Sequence, residues 1–111
     1  MLVFVNGNNI NQSTVVELEL PKTFSLIPNT NNEPNVVWKF TDPSLFASNI
    51  SGATRLSNGN TLICEGDYGY WEVTDDGEIA WKYLGPLHIK FWRGYDYNLD
   101  DTGIAVLGLT F

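Results

Sequence analysis

The chain has 111 residues, 43% apolar and 14% aromatic, which is enough for the packed core of one domain. Its net charge of −7 disfavours phosphate backbones and anionic lipid, so no nucleic-acid or membrane partner is expected. No apolar run approaches the roughly 18 residues that cross a bilayer.

In chain order, MLVFVNGNN has no basic start and too short an apolar run for a secretory signal, so any export signal is expected outside this chain. Short runs bounded by Gly, Asn, Asp and Pro follow, and none shows apolar spacing of helical period. Strands are predicted at Leu2–Val5, Thr14–Leu20, Val36–Phe40, Ser51–Leu56, Thr61–Glu65, Tyr70–Thr74, Glu78–Tyr83, Trp92–Tyr97 and Ile104–Leu107. The stretch KTFSLIPNTNNE, between Pro21 and Pro34, reads as a surface excursion with Phe24, Leu26 and Ile27 tucked onto the sheet. Ser57-Asn58-Gly59-Asn60 and Asp75-Asp76-Gly77 are hairpin signals, since Asn-Gly and Asp-Gly tolerate positive φ. The single cysteine, Cys64, excludes an internal disulfide and leaves the compartment open; in TLIC, without a basic neighbour, it reads as a small buried thiol. The chain is predicted to be all-β.

The pattern repeats. Trp38 and Trp81 stand 43 positions apart in VVWKFTDP and IAWKYLGP, and Pro43 and Pro86 share that spacing. Gly52 and Gly94 are 42 apart, each opening a strand. A period of this size with four strands per unit is the signature of β-propeller blades, in which each sheet is covered on both faces. Continuously apolar runs such as LVFV, TLIC and IAVLGL suit such burial, whereas the rival β-sandwich keeps one face of each strand polar. With strands labelled A to D outward from the axis, residues 1–43 give strands B–D of a preceding blade, with the excursion at 21–35. Residues 44–86 give one complete blade, and 87–111 the first strands of a following one. The expectation is a propeller segment of two to two and a half four-stranded antiparallel blades. Its two apolar ends call for completion by further blades or by other copies of the chain.

The stretch SGATRLSNGNTLICEGDYGYWEVTDDGEIAWKYLGP resembles the C-terminal blades of arylsulfotransferase-like β-propeller proteins, and MLVFVNGNNINQSTVVELELP looks like that family's preceding blade. The resemblance runs from about Leu2 to Tyr97 and implies that Phe111 lies near the end of the natural chain. It implies sulfuryl transfer from an aryl sulfate to a phenol without metal or cofactor, through a histidine in a His-x-Asn arrangement just before an innermost strand. The matching positions here are Asn49-Ile50-Ser51, and in the following blade Phe91-Trp92-Arg93. Neither holds a histidine. The family's chemistry therefore requires a histidine outside this chain, or the chain belongs to a non-catalytic branch, which is the favoured reading.

Candidate ligand-binding residues on the channel face are Asn49, Ser51, His88, Arg93 and Tyr95. His88, the only histidine, lies in the connection Leu87-His88-Ile89; an exposed loop residue is the plain reading and a channel-mouth role the alternative. Arg93, Tyr95 and Tyr97 share one parity of an expected inner strand, so Arg93 either holds an anion or stacks between blades. Arg55 carries the same two readings. Asp96–Gly103 superficially resembles a calcium loop but has Asp101 and Leu107 where Gly and Glu are needed, so a polar loop is expected and no metal. The equivalent places of Trp38 and Trp81 argue for packing over carbohydrate stacking. The expected function is that of a ligand- or partner-binding propeller segment, with other copies or further blades as partners and a small anionic or aromatic ligand. The alternatives are a fragment of an active aryl sulfotransferase and a short chain that self-assembles into a closed propeller.

Overall fold

The structure, a computed structural model, describes residues 1–86 and 88–109. Seven strands form two antiparallel sheets. The first sheet contains β1 (Leu2–Val5), β2 (Thr14–Glu19) and β3 (Asn35–Phe40) in the order β1-β2-β3. The second contains β4 (Ser51–Arg55), β5 (Thr61–Glu65), β6 (Gly69–Val73) and β7 (Ile79–Leu84) in the order β4-β5-β6-β7. Each is a meander in sequence order with no crossover, and every strand end falls within one residue of its expected place. The two expected hairpins form as predicted. Gly59 and Gly77 take φ of 89° and 85°, and their N–H groups donate to Leu56 and Thr74 carbonyls at 3.0 Å.

The two sheets repeat one register. Leu2 stands opposite Glu17 and Phe4 opposite Val15 in the first; Leu62 stands opposite Glu72 and Cys64 opposite Tyr70 in the second. On the next strand Val15 meets Phe40 and Glu17 meets Trp38, just as Tyr70 meets Tyr83 and Glu72 meets Trp81. Immediately beyond each Glu–Trp pair the ladder shifts by one residue, between Glu17 and Leu18 and between Glu72 and Val73. Each shift leaves one residue of the bulged strand unpaired and bends it. Thus β1, β2 and β3 match β5, β6 and β7 in register, and β4 has no counterpart in the first sheet among the described residues.

Side chains alternate across each sheet, so the register defines two faces. The front face of the first sheet, with Leu2, Phe4, Val15, Trp38 and Phe40, packs on the back face of the second, with Ala53, Ile63, Trp71 and Val73. Val15, Leu45, Ile63, Trp71 and Val73 are fully enclosed. Phe40 meets Trp71 edge-on at 6.3 Å, and the Lys82 ammonium lies 3.5 Å above the Trp71 ring. Truncating a buried aromatic of this kind costs about 3–5 kcal/mol, so Trp71 is the centre of the core.

The strand predicted at Trp92–Tyr97 forms no ladder with either sheet, and Ile104–Leu107 is not a strand. The helix α1 (Thr102–Val106) occupies that stretch. A turn in which Asp101 Oδ2 accepts the Asn98 N–H at 3.0 Å leads into it, and Gly108 at φ 62° ends it, so no strand is on hand to pair with residues 92–97. Phe24, Leu26 and Ile27 are exposed rather than tucked onto the sheet. Asn32 closes the excursion on itself, its Oδ1 accepting from Ser25 N–H at 2.9 Å and its Nδ2 donating to Ser25 O at 2.8 Å, which satisfies the loop without the sheet. The expectations placed on Leu87 and on Phe111 fall outside the described residues.

Candidate functional site

The segment after β7 crosses the front face of the second sheet. Phe91 anchors it: its N–H donates to Gly66 O at 3.0 Å, and its ring packs edge-on against Tyr70 at 5.1 Å and Tyr83 at 6.5 Å. Two residues further, Tyr70 Oη donates to Arg93 O at 3.2 Å. Gly94 lies flat on the sheet, where a Cβ would come within 2.9 Å of the Tyr70 ring and 3.2 Å of Leu62, so a side chain here would lift the segment away.

Beneath and beside this segment runs a cleft in two connected parts. The narrow part, about 230 Å³, is lined by β4 from Ser51 to Thr54, by Leu62 and Cys64, and by Arg93, Gly94 and Tyr95. It opens at Leu62, Arg93, Gly94 and Tyr95 into a wider part of about 630 Å³ that adds Leu56, Tyr70, Glu72, Trp81, Asp96 and Tyr97. Three of the five residues expected to bind a ligand are therefore brought together: Ser51, Arg93 and Tyr95. Asn49 is exposed and outside the cleft; its carbonyl is packed over Gly66, where a Cβ would lie 3.0 Å away. His88 is also exposed and outside the cleft, held at φ 73° in the connection beyond β7. Both were expected on the channel face because they precede an inner strand; the chain turns sharply between them and the cleft.

The cleft is electrically polarised. Arg93 lies where the two parts meet, and Ser51 and Thr54 line the narrow part. Ser51 Oγ accepts the Gly66 N–H at 3.1 Å and donates to Ile50 O, which fixes the start of β4 and leaves this hydroxyl with no hydrogen for a ligand. The wide end carries Glu72, whose carboxylate accepts from Asn60 Nδ2 at 2.6 Å, from Asn58 Nδ2 at 3.2 Å and from Trp81 Nε1. The Asn60 hydrogen bond, followed by that of Asn58, holds the Glu72 carboxyl below the usual carboxylate range. Cys64 is enclosed in the cleft wall, and burial pushes its thiol up to about 11, leaving it protonated and unreactive near neutral pH. An arginine, hydroxyls, a protonated thiol and several aromatic rings make a binding set, without a nucleophile poised beside a base. Among the described residues no three metal-ligating side chains converge.

Glu72, Trp81, Tyr70 and Cys64 were not legible as site residues. Whether a strand residue faces the neighbouring sheet or the cleft follows from register, which the sequence does not state. Glu65 was missed as well: only 2% exposed, it accepts from Phe46 N–H at 3.0 Å and Trp71 Nε1 at 2.6 Å, tying the connection before β4 to the core. Comparison with protein-family models, curated protein sequences and solved structures returns no match.

Proposed function

We propose that the chain is a pair of consecutive blades from an arylsulfotransferase-like β-propeller, a non-catalytic segment that binds a small aromatic anion in the cleft between β4 and residues 93–97. The observation that carries this reading is the register that β1–β3 and β5–β7 repeat, together with the cleft that Ser51, Arg93 and Tyr95 line. Consecutive meanders stacked front to back are how propeller blades bury their faces.

The ligand class follows from the polarity of the cleft. An oxyanion seats at the narrow end, where the Arg93 guanidinium and the Thr54 hydroxyl supply donors. The ring of the ligand lies toward Leu62, Tyr70, Trp81 and Tyr95, with the Glu72 carboxylate repelling the anionic end from that side. The absence of a His-x-Asn pair at Asn49-Ile50-Ser51 and the protonated state of Cys64 favour binding over group transfer.

Calorimetric titration with 4-nitrophenyl sulfate tests this, with 4-nitrophenol release followed in parallel. Binding without release is expected, and Arg93→Ala should weaken it roughly 10- to 100-fold, the worth of a charge-assisted hydrogen bond. Binding indifferent to Arg93→Ala contradicts the proposed seat. Release of 4-nitrophenol that is lost in His88→Ala contradicts the non-catalytic reading.

A further inference from the structure

Two features of this chain are halves of one arrangement. The first sheet ends at β1, an edge whose far side has no partner strand among the described residues. The segment 92–97 lies on the second sheet's front face without a ladder of its own. We infer that residues 93–97 of one copy pair as an added strand with the β1 edge of a second copy, so that each chain supplies the missing inner strand of the next chain's first sheet. This rests on the blade reading above.

The register is dictated by the repeat. In the second sheet β4 pairs with β5 as Ser51–Glu65, Ala53–Ile63 and Arg55–Thr61. Because β5 corresponds to β1, and Gly52 to Gly94, the same pairing places Arg93 opposite Val5, Tyr95 opposite Val3 and Tyr97 opposite Met1 of the second copy. In that register Tyr95 and Tyr97 face the front of the second sheet, in the cleft beside Tyr70 and Trp81, and Gly94, which faces Leu62 and Tyr70 in the single chain, turns away from it.

Side-chain contacts agree with this. Within one chain Arg55 reaches from β4 to the Glu17–Trp38 pair on the sheet in front of it, ion-paired with Glu17 and 4.8 Å above the Trp38 ring. Tyr97, in the place equivalent to Arg55, lines the cleft with the equivalent pair, Glu72 and Trp81. The segment thus lies where an inner strand would, and pairing turns it about its own axis so that the tyrosines replace Gly94 against the sheet. What it lacks is a neighbour for its outer edge, and the back face of a second copy's first sheet, with Val3, Val5 and Val16, is apolar enough to cover Leu62, Trp81 and Tyr83.

The pairing cannot occur within one chain. The first sheet packs on Ile63 and Trp71, while residues 91–97 pack on Leu62, Tyr70 and Tyr83, so the second sheet stands between them. The contact is therefore head-to-tail. Such contacts close into rings when the rotation allows, and rings of roughly four to eight blades would need about two to four copies at two blades each. The narrow end of the cleft, bounded by β4, β5 and residues 93–95, is complete without the second copy.

The test mixes a Val3→Cys chain with a Tyr95→Cys chain under mild oxidation and reads the products by non-reducing electrophoresis and peptide mass spectrometry, with light scattering on the unsubstituted chain. A discrete oligomer of the 12.5 kDa chain and a mixed Val3–Tyr95 disulfide are expected. A monomer with no mixed disulfide overturns the strand exchange and leaves the blade reading standing. Disulfides joining two Val3→Cys chains overturn it in favour of edge-to-edge pairing. A mixed disulfide that forms with Asp96→Cys in place of Tyr95→Cys shifts the register by one, turns the tyrosines off the sheet, and overturns the blade reading too.

Discussion

Arg55, on the first strand of the second sheet, is ion-paired with Glu17 on the middle strand of the first. Both side chains are only partly exposed, and Arg55 Nη1 also donates to Thr61 Oγ1 at 2.7 Å. The guanidinium also covers the Trp38 ring, so one side chain joins charge, hydrogen bonding and stacking across the contact between the sheets. Isolated surface pairs contribute little; this one is anchored by its other partners. Arg55→Ala should destabilise the chain by about 1–3 kcal/mol in urea unfolding. Arg55→Lys should recover only part of that, because an ammonium cannot hold Thr61 and Glu17 while lying flat on Trp38. Full recovery by lysine would mean that charge alone matters.

Stability should depend on pH in two opposite senses. Burial raises the Glu65 carboxyl above its usual 4.5, outweighing the hydrogen bonds from Phe46 and Trp71. Its contribution is therefore present below pH 4.5 and is lost as pH rises through the folded-state value. Asp42 is lowered from 3.8, chiefly by its hydrogen bond from the Ser44 hydroxyl, and Glu72 is lowered from 4.5 by Asn60. Their contributions are present above those values and are lost as pH falls through the lowered ones. Glu65→Gln should flatten the upper limb of a pH–stability curve while costing about 1–3 kcal/mol, since an amide leaves one of two buried donors facing another donor. An unchanged upper limb in that variant would assign it to another group.

Cys64 should resist thiol reagents. With its thiol pushed up to about 11, the thiolate fraction at pH 8 is about one part in a thousand, and the side chain is 2% exposed. Reaction with a chromogenic disulfide should be slow in the folded chain and fast in denaturant. Comparable rates in both states would mean that the wall of the cleft opens freely.

Gly69 has φ of 147°, and a Cβ there would lie 2.1 Å from the Tyr83 carbonyl oxygen. The β6–β7 ladder cannot yield to that without losing its register, so Gly69→Ala should cost several kcal/mol or prevent folding. Gly103→Ala, where nothing lies within 4 Å, should be neutral or slightly stabilising. Thermal unfolding of the two variants checks the contrast.

The seven strands were legible because Asn-Gly, Asp-Gly and Pro punctuate runs of period two, and those signals act locally. The repeat was legible through Trp38 and Trp81, whose shared place opposite a glutamate at a bulge the structure supplies. Residues 92–97 and 104–107 carry equally good strand composition but form no ladder, because pairing depends on a partner that their own sequence does not specify. Arg93 and Tyr95 were reached through an alternation that residues 92–97 do not keep, since Gly94 and Asp96 line the same cleft. Glu72 and Cys64 could not be read, because which face of the second sheet meets the first is fixed by register, and Glu65 could not because a carboxylate in a strand reads as solvent-facing until its buried donors are seen.

Nuclear Overhauser contacts in the isotope-labelled chain test the central claim, two turns of one register stacked front to back, most directly. Contacts are expected from Ile63 and Trp71 to Val15 and Phe40, from Leu62 and Tyr70 to Gly94, and between the matching cross-strand pairs Phe4–Val15 and Cys64–Tyr70. Contacts from Leu62 or Tyr70 to the first sheet would place the opposite face inward and contradict it.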